Sequence, residues 1–337
     1  MGITAFIVMF FIEPQGMIKG VSDGLRICAA AIIPSLFPFM VISDFVIRSG
    51  LAGFAGRFTD PITRLLFRLP GSAGCAVIMS MVGGYPVGAK MTAQLLENGS
   101  ISRNQAKRMM LFCVNAGPAF VIGTVGTVVL SSRRAGVVIY LSLIISSLVM
   151  GIFSRFFSED EIGLKAKPAE FKTGTFSKSV TQGVNSTLML CAWILLFSCF
   201  GSFFKMLPVR VSEYLGLISE VTGACISACG RYPVSIQALI IGWAGICVHC
   251  QLMPSIKEVK VKYLHFVLAR IIHGALAATL ADFLFRFFPC ETNVFSTATE
   301  VLPKIYSVSI PAAVSTVILS AMLIAELTAV IKKKNNA

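Results

Sequence analysis

This sequence is short of charge. Of its 337 residues only 13% are charged and 55% are hydrophobic, whereas a soluble domain carries about a quarter charged residues. That excludes a chain built mainly of soluble domains, although length alone would suggest about two. Acidic groups number 16 and histidines three. They form no Ser/His, paired-carboxylate or metal constellation with usable spacing. The chain therefore reads as not an enzyme and as needing no cofactor.

The basic excess of +13 does not imply nucleic acid. Lysines and arginines flank the apolar runs (Arg103, Lys107, Arg108, and Lys332 to Lys334), where they meet anionic headgroups and help fix orientation. A basic stripe with interleaved aromatics is absent, so nucleic acid is not expected as a partner. Most of the ten cysteines, among them Cys28, Cys113, Cys191 and Cys199, lie inside apolar runs and read as small buried hydrophobes. Cys225, Cys229, Cys247 and Cys250 give C-x3-C and C-x2-C spacings. Their glycine-rich, apolar setting argues against a zinc ribbon, and no metal site is expected.

Long apolar runs are abundant. Crossing about 30 Å of hydrocarbon takes about 20 apolar residues, and several stretches reach that length. The first twelve residues, before Glu13 and Pro14, are short for a span. They lack the basic region and small-residue cleavage site of a signal peptide. Residues 24–46 form the first full span, interrupted by Pro34 and Pro38. Residues 51–69 carry Arg57, Arg64 and Arg68 among leucines and phenylalanines and read as interfacial. Further spans are expected at 105–130, 135–157, 180–207, 262–289 and 306–331.

Two stretches are too short and too broken to span comfortably. "SMVGGYPVGAK", residues 80–90, ends an apolar run that begins near Gly71. "VSIQALIIGWAGICVHCQ", residues 234–251, is its counterpart in the second half. Irregular backbone at membrane depth survives only where protein or water satisfies it, so each reads as a re-entrant hairpin. The halves can be overlaid at nearly constant offset. Gly24 falls on Gly183, the run from Ala76 on the run from Ala238, and Asp60 opposite Glu220. The fold class expected is all-α: a polytopic membrane protein of two inverted repeats, each with a re-entrant helical hairpin. Its divisions are a short apolar segment (1–20), a first repeat (21–157), a polar linker (158–178), a second repeat (179–331) and a basic tail (332–337). Secondary transporters place their substrate where such broken helices meet. The basic residues give only a lean on orientation, because Arg133, Arg134 and the last lysines oppose the others.

"IIPSLFPFMVIS", "SMVGGYPVGAKMTAQLLENG" and "NAGPAFVIGTVG" together resemble the sporulation integral membrane proteins of the YlbJ/SpoVV type. Those carry the nucleoside-recognition, or gate, domain also seen in concentrative nucleoside transporters. "ISEVTGACIS" and "GWAGICVHCQ" resemble the second repeat of the same family. The resemblance implies a multi-pass protein of the mother-cell-derived outer forespore membrane that moves dipicolinic acid, a small aromatic dianion. A nucleoside or nucleobase is the alternative substrate, and a non-transporting scaffold of the spore envelope is the alternative role. Partners would be the substrate and the lipid bilayer. A homo-oligomer and other spore-envelope membrane proteins are compatible with it.

The candidate substrate-binding residues are Ser80, Gly83, Gly84, Tyr85, Pro86, Gly88 and Lys90 in the first hairpin, and Asn115 and Gly117 in the span after it. Glu220, Thr222, Gly245, His249 and Gln251 complete the set. Glycines let backbone approach a ligand, and equally serve helix packing. Lys90 can attract a carboxylate or snorkel to an interface. Asn115 can bond substrate or cap a freed carbonyl. Glu220 is a functional hypothesis if it lies within the membrane. His249 and His273 can carry protons or simply pack. The ring of Tyr85 can stack on an aromatic substrate or pack a turn.

Overall fold

The computed structural model describes residues 11–157, 174–204 and 206–289. The first twelve residues, most of the 158–178 linker and the 306–331 span lie wholly or mainly outside them. Among the described residues every regular element is helical. α1 (Pro14–Ile27) passes through a wide π turn, Cys28–Ile32, into α2 (Ile33–Arg48). Pro34 stands at the start of α2, where its missing N–H costs nothing, and Pro38 lies within it. Gly50, in the left-handed conformation, then turns the chain by 88° into α3 (Leu51–Phe67). α3 leaves Phe54, Phe58, Ile62 and Leu65 exposed on one side, as expected of a helix lying in the interface.

α4 (Gly71–Gly83) packs back along α3. The two approach so closely that a Cβ on Gly71 would stand 2.0 Å from the Gly56 carbonyl oxygen. Asp60 of α3 accepts from the Gly71 N–H at 2.8 Å, and Thr59 donates to the Gly71 carbonyl at 2.9 Å. α5 (Tyr85–Glu97) follows after a single residue, Gly84. α6 (Arg103–Phe112) opens on a capping box in which Ser102 and Gln105 bond each other's backbone. The span expected at 105–130 is not one helix. α6 ends at Phe112, residues 114–117 have no regular structure, and the chain resumes as α7 (Ala119–Val129), a π helix. π segments cost regular hydrogen bonding and collect at functional sites. α8 (Arg133–Ser154), capped by Ser132, crosses next.

In the second half, α9 (Thr175–Phe204) packs along α1 and α2. α10 (Val209–Ser219) and α11 (Val221–Ala228) pack on each other about Glu220. α12 (Ser235–Trp243) and α13 (Gly245–Val259) run on as one 25-residue apolar span broken at Ala244. Where a hairpin is expected over 234–251, the chain runs on as a broken span. α14 (Tyr263–Phe287) packs along α12 and α8. Among the described residues four helices are long and apolar enough to cross a membrane, or five if the bent α2–α3 pair counts as one span.

Small residues bring these helices together. Gly126 meets Gly136 between α7 and α8, and Gly242 meets Gly274 between α12 and α14. This is how membrane helices gain packing without a hydrophobic driving force between them. No group of three metal-ligating side chains occurs among the described residues, and all nine described cysteines are free.

Candidate functional site

Four helices are broken, and the breaks meet in pairs. In the first half, Gly84 between α4 and α5 lies against Gly117 between α6 and α7. A Cβ on Gly117 would stand 3.0 Å from the Val82 carbonyl oxygen and 3.3 Å from the Gly84 nitrogen. In the second half, Gly245 at the start of α13 lies against the Glu220 break, its own Cβ position 3.1 Å from the Ser219 carbonyl oxygen. Gly84, Ala244 and Gly245 all have positive φ. For Gly84 (φ 85°, ψ 176°) that backbone region is open essentially only to glycine.

The breaks at Gly84, Gly117 and Glu220 line one partly open cavity of about 80 Å³. Gly84, Tyr85 and Pro86 line it from α5, Gly117 from the α6–α7 break, Glu220 and Thr222 from α11, and Gln251 from α13. Seven of the fourteen candidate residues are therefore brought together. Apolar side chains complete the wall: Leu36 from α2, Phe120 from α7, Leu190 and Ile194 from α9, and Cys247 from α13. Nothing in the sequence distinguished these from ordinary lipid-facing or packing residues.

Electrostatics are set by backbone rather than by cations. The helix starts of α5, α7 and α11 all reach the cavity wall, and each brings the partly positive end of a helix dipole there. Prolines stand at the first two starts, and Val87 donates to the Gly84 carbonyl and Phe120 and Val121 to the Gly117 carbonyl, each at 3.1 Å, so it is the dipole more than free N–H groups that acts there. Among the described residues no lysine or arginine lines the wall. At α11 the positive end is already met by protein, because the Glu220 carboxylate accepts from the N–H groups of Thr222 (2.9 Å) and Gly223 (2.7 Å). At α5 and α7 no side chain caps the helix start.

The other seven candidates lie outside the cavity wall, and the structure gives each a different job. Asn115 is fully buried. Its amide nitrogen donates to the Phe112 carbonyl (3.0 Å) and the hydroxyls of Ser80 (3.2 Å) and Ser147 (3.1 Å), so Asn115 and Ser80 hold the α6–α7 break in place. Gly88 lets α5 approach the Cys113 carbonyl oxygen, where a Cβ would stand 2.0 Å away. Gly83 packs against Val87, and Gly245 against Ser219 and Glu220. His249 is buried and bridges the α12–α13 break. One ring nitrogen lies 3.0 Å from the Trp243 carbonyl oxygen and the other 3.2 Å from the Tyr263 hydroxyl. Lys90 points to α9, donating to the Ser186 hydroxyl at 2.6 Å.

One functional group went unremarked in the sequence. Arg270 of α14 is fully buried and donates to the carbonyls of Leu111 and Val114, each at 2.5 Å. It thus fills the carbonyl positions freed where α6 stops. Its guanidinium lies 3.4 Å from His273, whose other nitrogen meets the Leu143 carbonyl oxygen at 3.0 Å. Among the described residues no carboxylate pairs with it, so a cation stands behind the break that Tyr85 and Gly117 line. A single arginine in a run of apolar residues was the only available signal.

A family model described as nucleoside recognition, the Gate domain, matches residues 29–135. The sporulation integral membrane protein YlbJ of Bacillus subtilis (strain 168) is 24% identical over 340 residues, covering 84% of this chain and 83% of that protein. The resemblance to the YlbJ-type membrane proteins holds over most of the chain. The Gate match runs from the π turn after α1 to the start of α8, so it contains both first-half breaks, Gly84 and Gly117. No solved structure matches the chain. With several apolar helices of spanning length and an integral membrane relative, it is a multi-pass membrane protein.

Proposed function

We propose that this chain transports a small organic anion across a membrane, and that the anion is dipicolinate moved during spore formation. One observation carries the reading: three helix starts converge on one cavity, and two of them carry no capping side chain. Uncapped helix starts attract carboxylates without placing a free cation in lipid. Buried Arg270 adds positive potential behind the same wall. The flanking apolar residues suit the faces of a planar ring.

The chain is not an enzyme in this reading. It acts in the outer forespore membrane, where its partners are the substrate, the bilayer and other envelope proteins. The breaks at Gly84 and Ala244 are as far apart in the chain as the starts of α6 and α14. That supports two repeats, with a second gate-like unit over 179–331, related by inversion.

Uptake of labelled dipicolinate into proteoliposomes, beside uridine and with or without a proton gradient, tests the function. Saturable dipicolinate uptake is the expected result. A nucleoside remains the second reading, favoured by the Gate match at 29–135, and uptake of uridine alone would establish it instead. If neither moves with folded protein, the scaffold role replaces transport.

A further inference from the structure

Below the cavity, the three helices α2, α5 and α9 continue together. Each helix contributes an apolar or turn residue to the cavity wall: Leu36, Pro86 and Leu190. One turn further on, α5 and α9 become polar, and α2 follows a turn later. On α5, Lys90 donates to Ser186 of α9, and beside Ser186 stands Thr187, buried, whose hydroxyl has no hydrogen-bond partner. Another turn on, Gln94 of α5 donates to Asp44 of α2 at 2.6 Å, and Arg48 donates to the other oxygen of Asp44 at 2.5 Å. Asp44 is fully buried. The Gln94 carbonyl oxygen and the Ser179 hydroxyl of α9 are also buried and unpartnered.

Charge does not balance in this cluster. Lys90 and Arg48 bring two cations, and Asp44 is the acidic group that acts on Lys90. Both Asp44 oxygens are taken by Arg48 and Gln94, so the ammonium bonds to no carboxylate among the described residues. It has three N–H donors and spends one on Ser186. A charge held between packed helices with donors unspent is costly and calls for a partner. The nearest route to one is the cavity, which lies about one turn along α5.

We infer that Lys90, with Ser186 and Thr187, is a second anion station on the substrate's path, where a carboxylate leaving the cavity is received between α5 and α9. This rests on the anion-transport reading above. The station takes a carboxylate group, with the Lys90 ammonium as counter-ion and the Thr187 hydroxyl as a further donor. Asp44, Gln94 and Arg48 are positioning residues that hold α5 against α2 beneath it.

The experiment pairs equilibrium binding of labelled dipicolinate to the purified full chain with its uptake into proteoliposomes. For Lys90→Met, binding should stay within about twofold of wild type because the cavity is intact, while uptake falls at least roughly tenfold. Lys90→Arg should restore most of the uptake, and Thr187→Val, which preserves shape, should lower it about threefold. Unchanged uptake in Lys90→Met overturns the station. Loss of binding and uptake together in Lys90→Met also overturns it, because Lys90 would then belong to the cavity or to the fold. If wild type itself neither binds nor moves dipicolinate, the substrate reading fails first and the station fails with it.

Discussion

Gly84 and Gly117, thirty-three residues apart, meet backbone to backbone, the Gly84 nitrogen 3.3 Å from where a Cβ of Gly117 would stand. A side chain at either glycine would crowd this junction. The two interruptions stabilise one another and leave the starts of α5 and α7 facing the same space.

Alanine at either glycine tests that junction. At Gly84 the backbone conformation alone costs on the order of 1–3 kcal/mol for any other residue, and the new methyl would meet Leu36 at 3.2 Å. Gly84→Ala should lower the melting temperature in detergent and cut dipicolinate uptake by at least about tenfold. Gly117→Ala, pressed against the Val82 carbonyl oxygen at 3.0 Å, should act in the same direction. Wild-type stability and uptake in both variants would show that the breaks do not depend on each other.

Much of this site was legible before any coordinates. The sequence pointed to Gly84, Tyr85, Pro86, Gly117, Glu220, Thr222 and Gln251 because glycine, proline and charge are conspicuous in an apolar run. All seven line the cavity. It could not separate them from Asn115, His249 or Gly88, which are just as conspicuous and serve packing instead. A polar residue at a helix break either faces ligand or satisfies the freed backbone, and local sequence does not decide which. The apolar wall from α2 and α9 was illegible for a different reason: Leu36 and Leu190 look like any lipid-facing leucine. A second-half hairpin is expected because Ala244–Gly245 resembles a turn, whereas the backbone there extends the span. The 306–331 span falls outside the described residues.

Glu220 is already engaged as a cap, and this sets the sign of its substitution. The carboxylate accepts from two backbone N–H groups and also repels an anion in the cavity it lines. Glu220→Gln keeps an acceptor for the cap and removes the charge. It should lower the KM for dipicolinate by about threefold to tenfold and leave a neutral solute such as uridine unaffected. Glu220→Ala loses the cap as well and should cost about 0.5–2 kcal/mol of stability. A raised KM in Glu220→Gln, with the fold intact, would mean that the carboxylate itself binds substrate.

Arg270 and Asn115 hold the α6–α7 break from two sides, so removing either should act on the fold before it acts on transport. Hydrogen bonds to a charged donor contribute about 1.5–3 kcal/mol each, and Arg270 makes two to the carbonyls of Leu111 and Val114. Arg270→Met should therefore be more destabilising than Asn115→Ala, with melting temperature measured in the same detergent. Arg270→Lys should recover part of the loss. For Asn115→Ala, uptake per folded molecule should stay within about threefold of wild type. A tenfold loss without destabilisation would return Asn115 to the list of substrate contacts.

Tyr85 separates a latch from a stacking surface. Its hydroxyl donates to the Ile241 carbonyl of α12 at 2.6 Å, tying α5 to the second half, while the side chain lines the cavity. Tyr85→Phe deletes the latch and keeps the ring. It should cost about 1 kcal/mol of stability and leave dipicolinate binding within about twofold of wild type. Tyr85→Ala deletes both, and binding should weaken by at least about tenfold as the ring's contact with a planar substrate is lost. The comparison is read by equilibrium binding, so a change in transport rate cannot be mistaken for a change in affinity. If Phe weakens binding as much as Ala, the hydroxyl and its bond to Ile241 shape the cavity, and the ring contributes little. The substrate would then be held by the helix starts alone, and affinity should track carboxylate number across aromatic and aliphatic acids instead of ring size.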